Sequence, residues 1–89
     1  MSDSTYYLYI LYSDSLRRYY TGVSHDPELR LKYHNSNPKG WTRRGRPWRL
    51  VFTKAYHDRT SSMKAERFVK GQKSQVFIEK LVSGEYTLD

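Results

Sequence analysis

The chain contains no cysteine, which excludes disulfide bonds and metal sites built on thiolates. No apolar run approaches the roughly 20 residues of a membrane-spanning helix, and the polar, acidic N-terminus is unlike a signal peptide. These absences predict a protein with no membrane partner, and we expect it in the cytoplasm. The 89 residues predict a single domain, residues 1–89, with a thin core and no second folding unit.

Acidic residues are also missing from a long central stretch. Residues 29–57 contain no aspartate or glutamate but eight lysines and arginines, in a chain whose formal net charge is +7. Such a concentration of positive charge is typical of a surface that binds a polyanion. A nucleic acid is therefore the expected partner, and a solvated basic surface is the plainer alternative.

Apolar runs and turn signals outline the first half of the fold. Residues 6–12 are apolar and aromatic, which is typical of a buried strand, and residues 19–23 form a second short strand after a turn. The two strands should pair as an antiparallel hairpin. Asp26, Pro27 and Glu28 then favour a helix start, because they suit the cap, the first helical position and the positive end of the helix dipole. This helix should end near Asn35.

The second half predicts one strand and two helices. An irregular basic loop is expected over residues 39–47, followed by a third strand at residues 48–56. A helix over residues 61–72 would be capped by Asp58 or Thr60, and a last helix would begin after Ser74 and stop at Gly84. The order β-β-α-β-α-α predicts a small mixed α/β (α+β) domain with a three-stranded sheet and packed helices, with its core at about residues 6–82. The pattern does not fix the position of the third strand in the sheet.

Five side chains could together hydrolyse a phosphodiester: Tyr9, Tyr20, Arg30, His34 and Glu66. A guanidinium can hold a phosphate through two parallel hydrogen bonds, and a carboxylate can bind a hard cation. A phenol or an imidazole can move a proton. Arg30 and His34 are four residues apart and share one helix face. The ordinary alternative is that the tyrosines are core aromatics and the other three residues are solvated.

The order of these residues resembles the GIY-YIG nuclease family. The first family triplet corresponds to Tyr-Leu-Tyr at residues 7–9, the second to Tyr-Thr-Gly at residues 20–22, and Gly-Arg-Pro-Trp at residues 45–48 precedes the third strand. The chain departs from the family pattern at Tyr7, which replaces a glycine, and at Thr21, which replaces an isoleucine. The resemblance covers about residues 6–82 and is greatest to the small stand-alone members.

The resemblance implies a metal-dependent endonuclease that cleaves DNA, with a role in repair or in the processing of structured DNA. Its catalytic residues would be Tyr9, Tyr20, Arg30, His34 and Glu66, and Glu66 would bind Mg²⁺ or Mn²⁺. One tyrosine would act as the base or orient the water, and the sequence does not say which one. It also does not distinguish DNA from RNA as the substrate.

The basic segment supplies the predicted nucleic-acid-binding residues: Lys39, Trp41, Arg43, Arg44, Arg46 and Arg49. The cations would meet phosphates and Trp41 would stack on a base, whereas Trp48 is expected in the core. The resemblance implies a second, targeting domain in most members, and this sequence shows none, so specificity is expected to come from DNA shape, from a homodimer or from a second protein. The main alternative is a non-catalytic nucleic-acid-binding module with the same fold. A structural basic protein, such as a ribosome-associated factor, explains the charge but not the ordered set of five residues.

Overall fold

The computed structural model describes residues 5–36 and 41–88. The strands are β1 (Tyr6–Ser13), β2 (Arg18–Ser24) and β3 (Trp48–Tyr56), and the helices are α1 (Pro27–Ser36), α2 (Arg59–Gly71) and α3 (Gln75–Ser83). The predicted order β-β-α-β-α-α is confirmed. Within the described ranges, no helix is both long enough and apolar enough to span a bilayer.

The sheet has the order β2-β1-β3, and both pairs of neighbours are antiparallel. The predicted hairpin of β1 and β2 is confirmed, and its register places Tyr9 opposite Gly22. The third strand, whose position the sequence left open, pairs with β1 along its other side, with a register irregularity beside Ile10 and Leu11. Strand β1 is therefore the centre of the sheet.

Two apolar clusters cover the two faces of the sheet, because successive side chains of a strand point to opposite faces. Leu8 and Ile10 pack with Val69 of α2 and with α3. Tyr9 lies in the second cluster, which is packed against α1 through Leu31. Strand β1 is thus buried on both faces, which accounts for its nearly unbroken apolar sequence.

The helix ends lie close to where the capping residues predicted them. Asp26 Oδ1 accepts a hydrogen bond from the Leu29 amide at 3.1 Å, at the start of α1. Helix α2 begins two residues earlier than expected, because Asp58 rather than Thr60 is its cap. Ser74 caps α3, and Gly84 ends it in the left-handed conformation with φ 87°.

The described part of the basic loop contains a short helical turn that the sequence did not predict. Trp41–Gly45 form a turn of 3₁₀ helix in the middle of the segment that was expected to be irregular. Beyond it, Asn35 joins the end of α1 to the start of β3, since its side chain accepts from the Trp48 amide at 2.6 Å and donates to the Trp48 carbonyl at 3.0 Å. Trp48 is buried, as expected.

Candidate active site

Four of the five predicted catalytic side chains line one open cavity of about 500 Å³. Tyr9 comes from β1, Tyr20 from β2, Arg30 from α1 and Glu66 from α2. The fifth, His34, is buried on α1, and its Nε2 lies 3.4 Å from Tyr9 Oη. The fold therefore brings together side chains that are far apart in the sequence.

Gly22 makes room for the Tyr9 phenol. The two residues are opposite each other in the sheet, and a Cβ atom at position 22 would lie 2.6 Å from both Cζ and Oη of Tyr9. Separations this short are far inside van der Waals contact. The glycine of the second triplet is therefore required by the tyrosine of the first.

The Tyr9 phenol lies between a cation and an imidazole. Burial raises the pKa of Tyr9, and a hydrogen bond from Arg30 opposes this rise. Burial, together with the charge of Arg30, lowers the pKa of His34. Both the phenol and the imidazole are therefore neutral at neutral pH. Because Arg30 donates to Tyr9 Oη, the phenol can use its own hydrogen to donate to His34 Nε2.

The remaining contacts of His34 are mainly aromatic. Its ring centre is 4.5 Å from that of Tyr20, and Tyr20 in turn meets Trp48 edge-on at 6.4 Å. His34 Nδ1 is buried and has no hydrogen-bond partner among the described residues. The imidazole is thus held by packing and by its contact with Tyr9, and Tyr20 lies closer to solvent than Tyr9.

Glu66 is the one carboxylate among the described residues that line this cavity. Its Oε2 lies 2.9 Å from Lys70 Nζ, one turn further along α2. No group of three or more His, Cys, Asp or Glu side chains in the described ranges is arranged to hold a metal. A single carboxylate fits Mg²⁺, which keeps several waters and takes further oxygen ligands from phosphate.

The cavity has further lining residues that the sequence did not single out. Arg59 precedes Glu66 by two helical turns and lines the same cavity. This i, i+7 spacing on α2 is the signal that could have identified it. His25 is exposed and also lines the cavity, and its ring meets that of Tyr6 edge-on at 6.0 Å.

Two arginines of the predicted nucleic-acid-binding set form hydrogen bonds or an ion pair within the protein. Arg46 donates to the main-chain carbonyls of Arg43 at 3.2 Å and Asn35 at 3.3 Å. Arg49 forms a two-pronged ion pair with Asp14, with distances of 3.1 and 3.3 Å. Arg46 therefore contributes to the shape of the loop, and Arg49 is partly neutralised.

The structure describes only some of the other members of that set. Arg43 and Arg44 are exposed on the 3₁₀ turn. Lys39 and the side chain of Trp41 lie outside the described residues. None of the described members lines the cavity that holds Tyr9 and Glu66. Any phosphate contacts made by these described arginines would therefore lie outside the cavity.

Comparison with known proteins assigns the chain to a family. Residues 5–80 match the family model described as the GIY-YIG catalytic domain. The solution NMR structure of the UPF0213 protein BH0048 from Bacillus halodurans is similar, with 36% sequence identity and a TM-score of 0.56 over 89% of this chain and 83% of that chain. No curated protein matches the chain at a significant level. The match to the family model and the similarity to this structure agree with the geometry above, and the chain belongs to the GIY-YIG family.

Proposed function

We propose that this protein is an endonuclease that uses Mg²⁺ or Mn²⁺ to hydrolyse phosphodiester bonds in DNA, in repair or in the processing of structured DNA in the cytoplasm. The observation that carries the proposal is the meeting of two phenols, a guanidinium and a carboxylate at one cavity, with a buried imidazole behind them. Membership of a family whose model is a catalytic nuclease domain supports it.

Arg30 is the group that would bind the scissile phosphate. It lines the cavity with only modest burial, and a guanidinium matches two phosphoryl oxygens at once. Its hydrogen bond to Tyr9 fixes the direction of the side chain before substrate arrives. Arg59, on the same cavity, would add a second positive charge. Positioned cations that meet charge developing in the transition state are often the largest contribution to catalysis.

We assign Tyr9 as the general base, because its phenol is within hydrogen-bonding distance of a proton acceptor, the His34 imidazole. As the phenol takes a proton from the attacking water, it would pass its own proton to Nε2 of neutral His34. The water oxygen then bonds to phosphorus and the bond to the leaving oxygen breaks. Arg30 would stabilise negative character on Tyr9 during this transfer, and Tyr20 would orient the water. General acid–base assistance of this kind typically contributes about 10²–10⁴-fold.

Glu66 would hold the divalent cation through a carboxylate oxygen, with water and phosphate oxygens as the other ligands. Bound there, the cation would offset charge on the phosphate and on the leaving oxygen. Lys70 neutralises Glu66 in the structure described, so it would have to turn away when the cation binds. The exposed position of Lys70 makes this movement inexpensive, since an exposed ion pair contributes about 1 kcal/mol at most.

Plasmid nicking tests the proposal. Supercoiled DNA should be nicked with Mg²⁺ or Mn²⁺ and left intact with EDTA. Glu66→Gln, which removes one anionic ligand at almost constant volume, should abolish nicking but leave DNA binding in place. Arg30→Ala should also be inactive. Full activity in both purified variants would rule out this mechanism, and tight binding without cleavage by the unaltered chain would favour a binding module instead. Gel filtration and pull-down would test whether a homodimer or a targeting protein selects the substrate.

A further inference from the structure

A second cavity, of about 570 Å³, lies beside α2 on the flank opposite the candidate active site. Met63 and Glu66 line the active-site cavity, whereas Ser61, Lys64 and Phe68 line the second one. At 3.6 residues per turn the two sets point roughly 180° apart. Helix α2 therefore lines two separate cavities on opposite flanks, and the proposed catalytic residues lie in only one of them.

The second cavity exposes aromatic surface that the fold holds in place. Phe68 and Tyr86 are 45% and 41% exposed. Both pack against Phe77, whose ring centre lies 5.9 Å from that of Phe68 and 5.0 Å from that of Tyr86. Because Phe77 is partly buried against the core, it fixes the two exposed rings. Grouped apolar surface of this kind marks a binding site more often than a chance exposure does.

Two lysines lie beside these rings. Lys54 and Lys64 line the cavity, and no aspartate or glutamate is found among its described lining residues. Asp58 lies just outside this lining, where it pairs with His57 at 3.1 Å. The Lys54 ammonium lies 5.5 Å from the centre of the Tyr56 ring, so it is directed over aromatic surface rather than away from it. The occupant should therefore combine a flat apolar group with negative charge.

We propose that this cavity binds an unpaired base of a single-stranded segment of the substrate, with Phe68 and Tyr86 against the base and the two lysines against its phosphates. The volume suits one nucleotide or two, and stacking on aromatic rings with cations along the backbone is the usual way to hold a single strand. The proposal rests on the proposed function in that the chain acts on nucleic acid.

The location of the cavity indicates the substrate class. A helix is about 10 Å across, and a strand rises about 3.4 Å per nucleotide, so a base about three nucleotides from the phosphate at Glu66 would reach the cavity across α2. A base paired and stacked within a duplex cannot enter it. The site therefore selects DNA with a single-stranded branch or end close to the cleavage point.

Binding of a fluorescein-labelled eight-nucleotide thymidine oligomer, measured by anisotropy in EDTA, tests the site without cleavage. Phe68→Ala should weaken binding about fivefold or more, as expected for loss of one stacked base, and Phe68→Tyr should retain it. Lys64→Glu, at an exposed position, should weaken binding by a similar factor even if Phe68→Ala folds poorly. Val76→Ala is the matched control, because Val76 is 60% exposed and does not line the cavity.

Two further measurements separate this proposal from the nuclease proposal. Phe68→Ala should nick a plain duplex at the normal rate but lose its preference for a flapped duplex, whereas Glu66→Gln should bind the oligomer normally. In an amide NMR titration, oligomer-induced shifts should include Phe68, Tyr86 and Leu88. Unchanged affinity in both Phe68→Ala and Lys64→Glu would overturn the base-binding site. Equal binding of a polyglutamate peptide at the same residues would also overturn it, because it would show that the site recognises negative charge and not a base.

Discussion

Replacement of Gly22 by alanine tests the packing that positions the Tyr9 phenol. The new Cβ atom would lie 2.6 Å from Tyr9 Cζ and Oη, whereas carbon atoms in contact are normally about 3.5–4.0 Å apart. The phenol must therefore move by about 1 Å, although Tyr9 is 1% exposed and closely packed. Overpacking of this kind typically costs about 1–3 kcal/mol. A misplacement of about 1 Å in an active site can cost roughly 10²-fold in rate.

The assay combines thermal unfolding with plasmid nicking. In a domain of this size, each kcal/mol lowers Tm by about 4–8 °C, so Gly22→Ala should melt at least several degrees lower and nick DNA roughly 10²-fold more slowly. Gly71→Ala is the matched control, because a Cβ atom there meets nothing within 4 Å. It should be neutral or slightly stabilising, since alanine favours helix over glycine. Wild-type melting and nicking in Gly22→Ala would refute the packing argument.

Three further predictions concern charge and protonation. Lys70→Met should lower the Mg²⁺ concentration needed for half-maximal nicking, because Lys70 occupies an oxygen of Glu66; an unchanged metal titration would show that the ion pair does not compete. The pKa of His34 is lowered from its ordinary value of 6.5, so below that pH the unfolded chain binds a proton that the folded chain does not. Stability should therefore fall as pH falls below 6.5, and His34→Gln should flatten this part of a plot of Tm against pH; an identical slope would contradict the buried neutral imidazole. Replacing Arg43 and Arg44 together by alanine should shallow the slope of log K against log salt for duplex binding by about 2, at about 0.9 per phosphate, and a constant slope would place the duplex contacts elsewhere.

Local signals in the sequence predicted the secondary structure well, because the contacts that end helices are made within a few residues. Ser74 accepts from the Phe77 amide, and Gly84 has the left-handed backbone that stops α3. The position of β3 was not predictable in this way. Its pairing with β1 depends on contacts between distant residues, and an apolar strand can pair with either free edge of a hairpin.

The five residues of the candidate site were predicted to act together, but the packing that positions them was not predicted. The sequence gives no indication that Gly22 makes room for Tyr9, because this depends on the register of two strands. The ion pair of Arg49 with Asp14 joins residues 35 positions apart and was missed for the same reason. By contrast, Glu66 and Lys70 are one helical turn apart, so their ion pair could have been predicted from the local sequence. The catalytic roles of the five residues stay predictions.

The placement of Tyr9 on the central strand divides the site into a fixed half and an adjustable half. Both neighbours of β1 pair with it along its length, so the Tyr9 amide should exchange with solvent deuterium only when the whole domain unfolds. Glu66 comes from α2, which lies outside the sheet, where local opening is easier. Local opening at the start of α2 would therefore displace the Glu66 carboxylate, the proposed cation ligand, while leaving the phenol and imidazole in register.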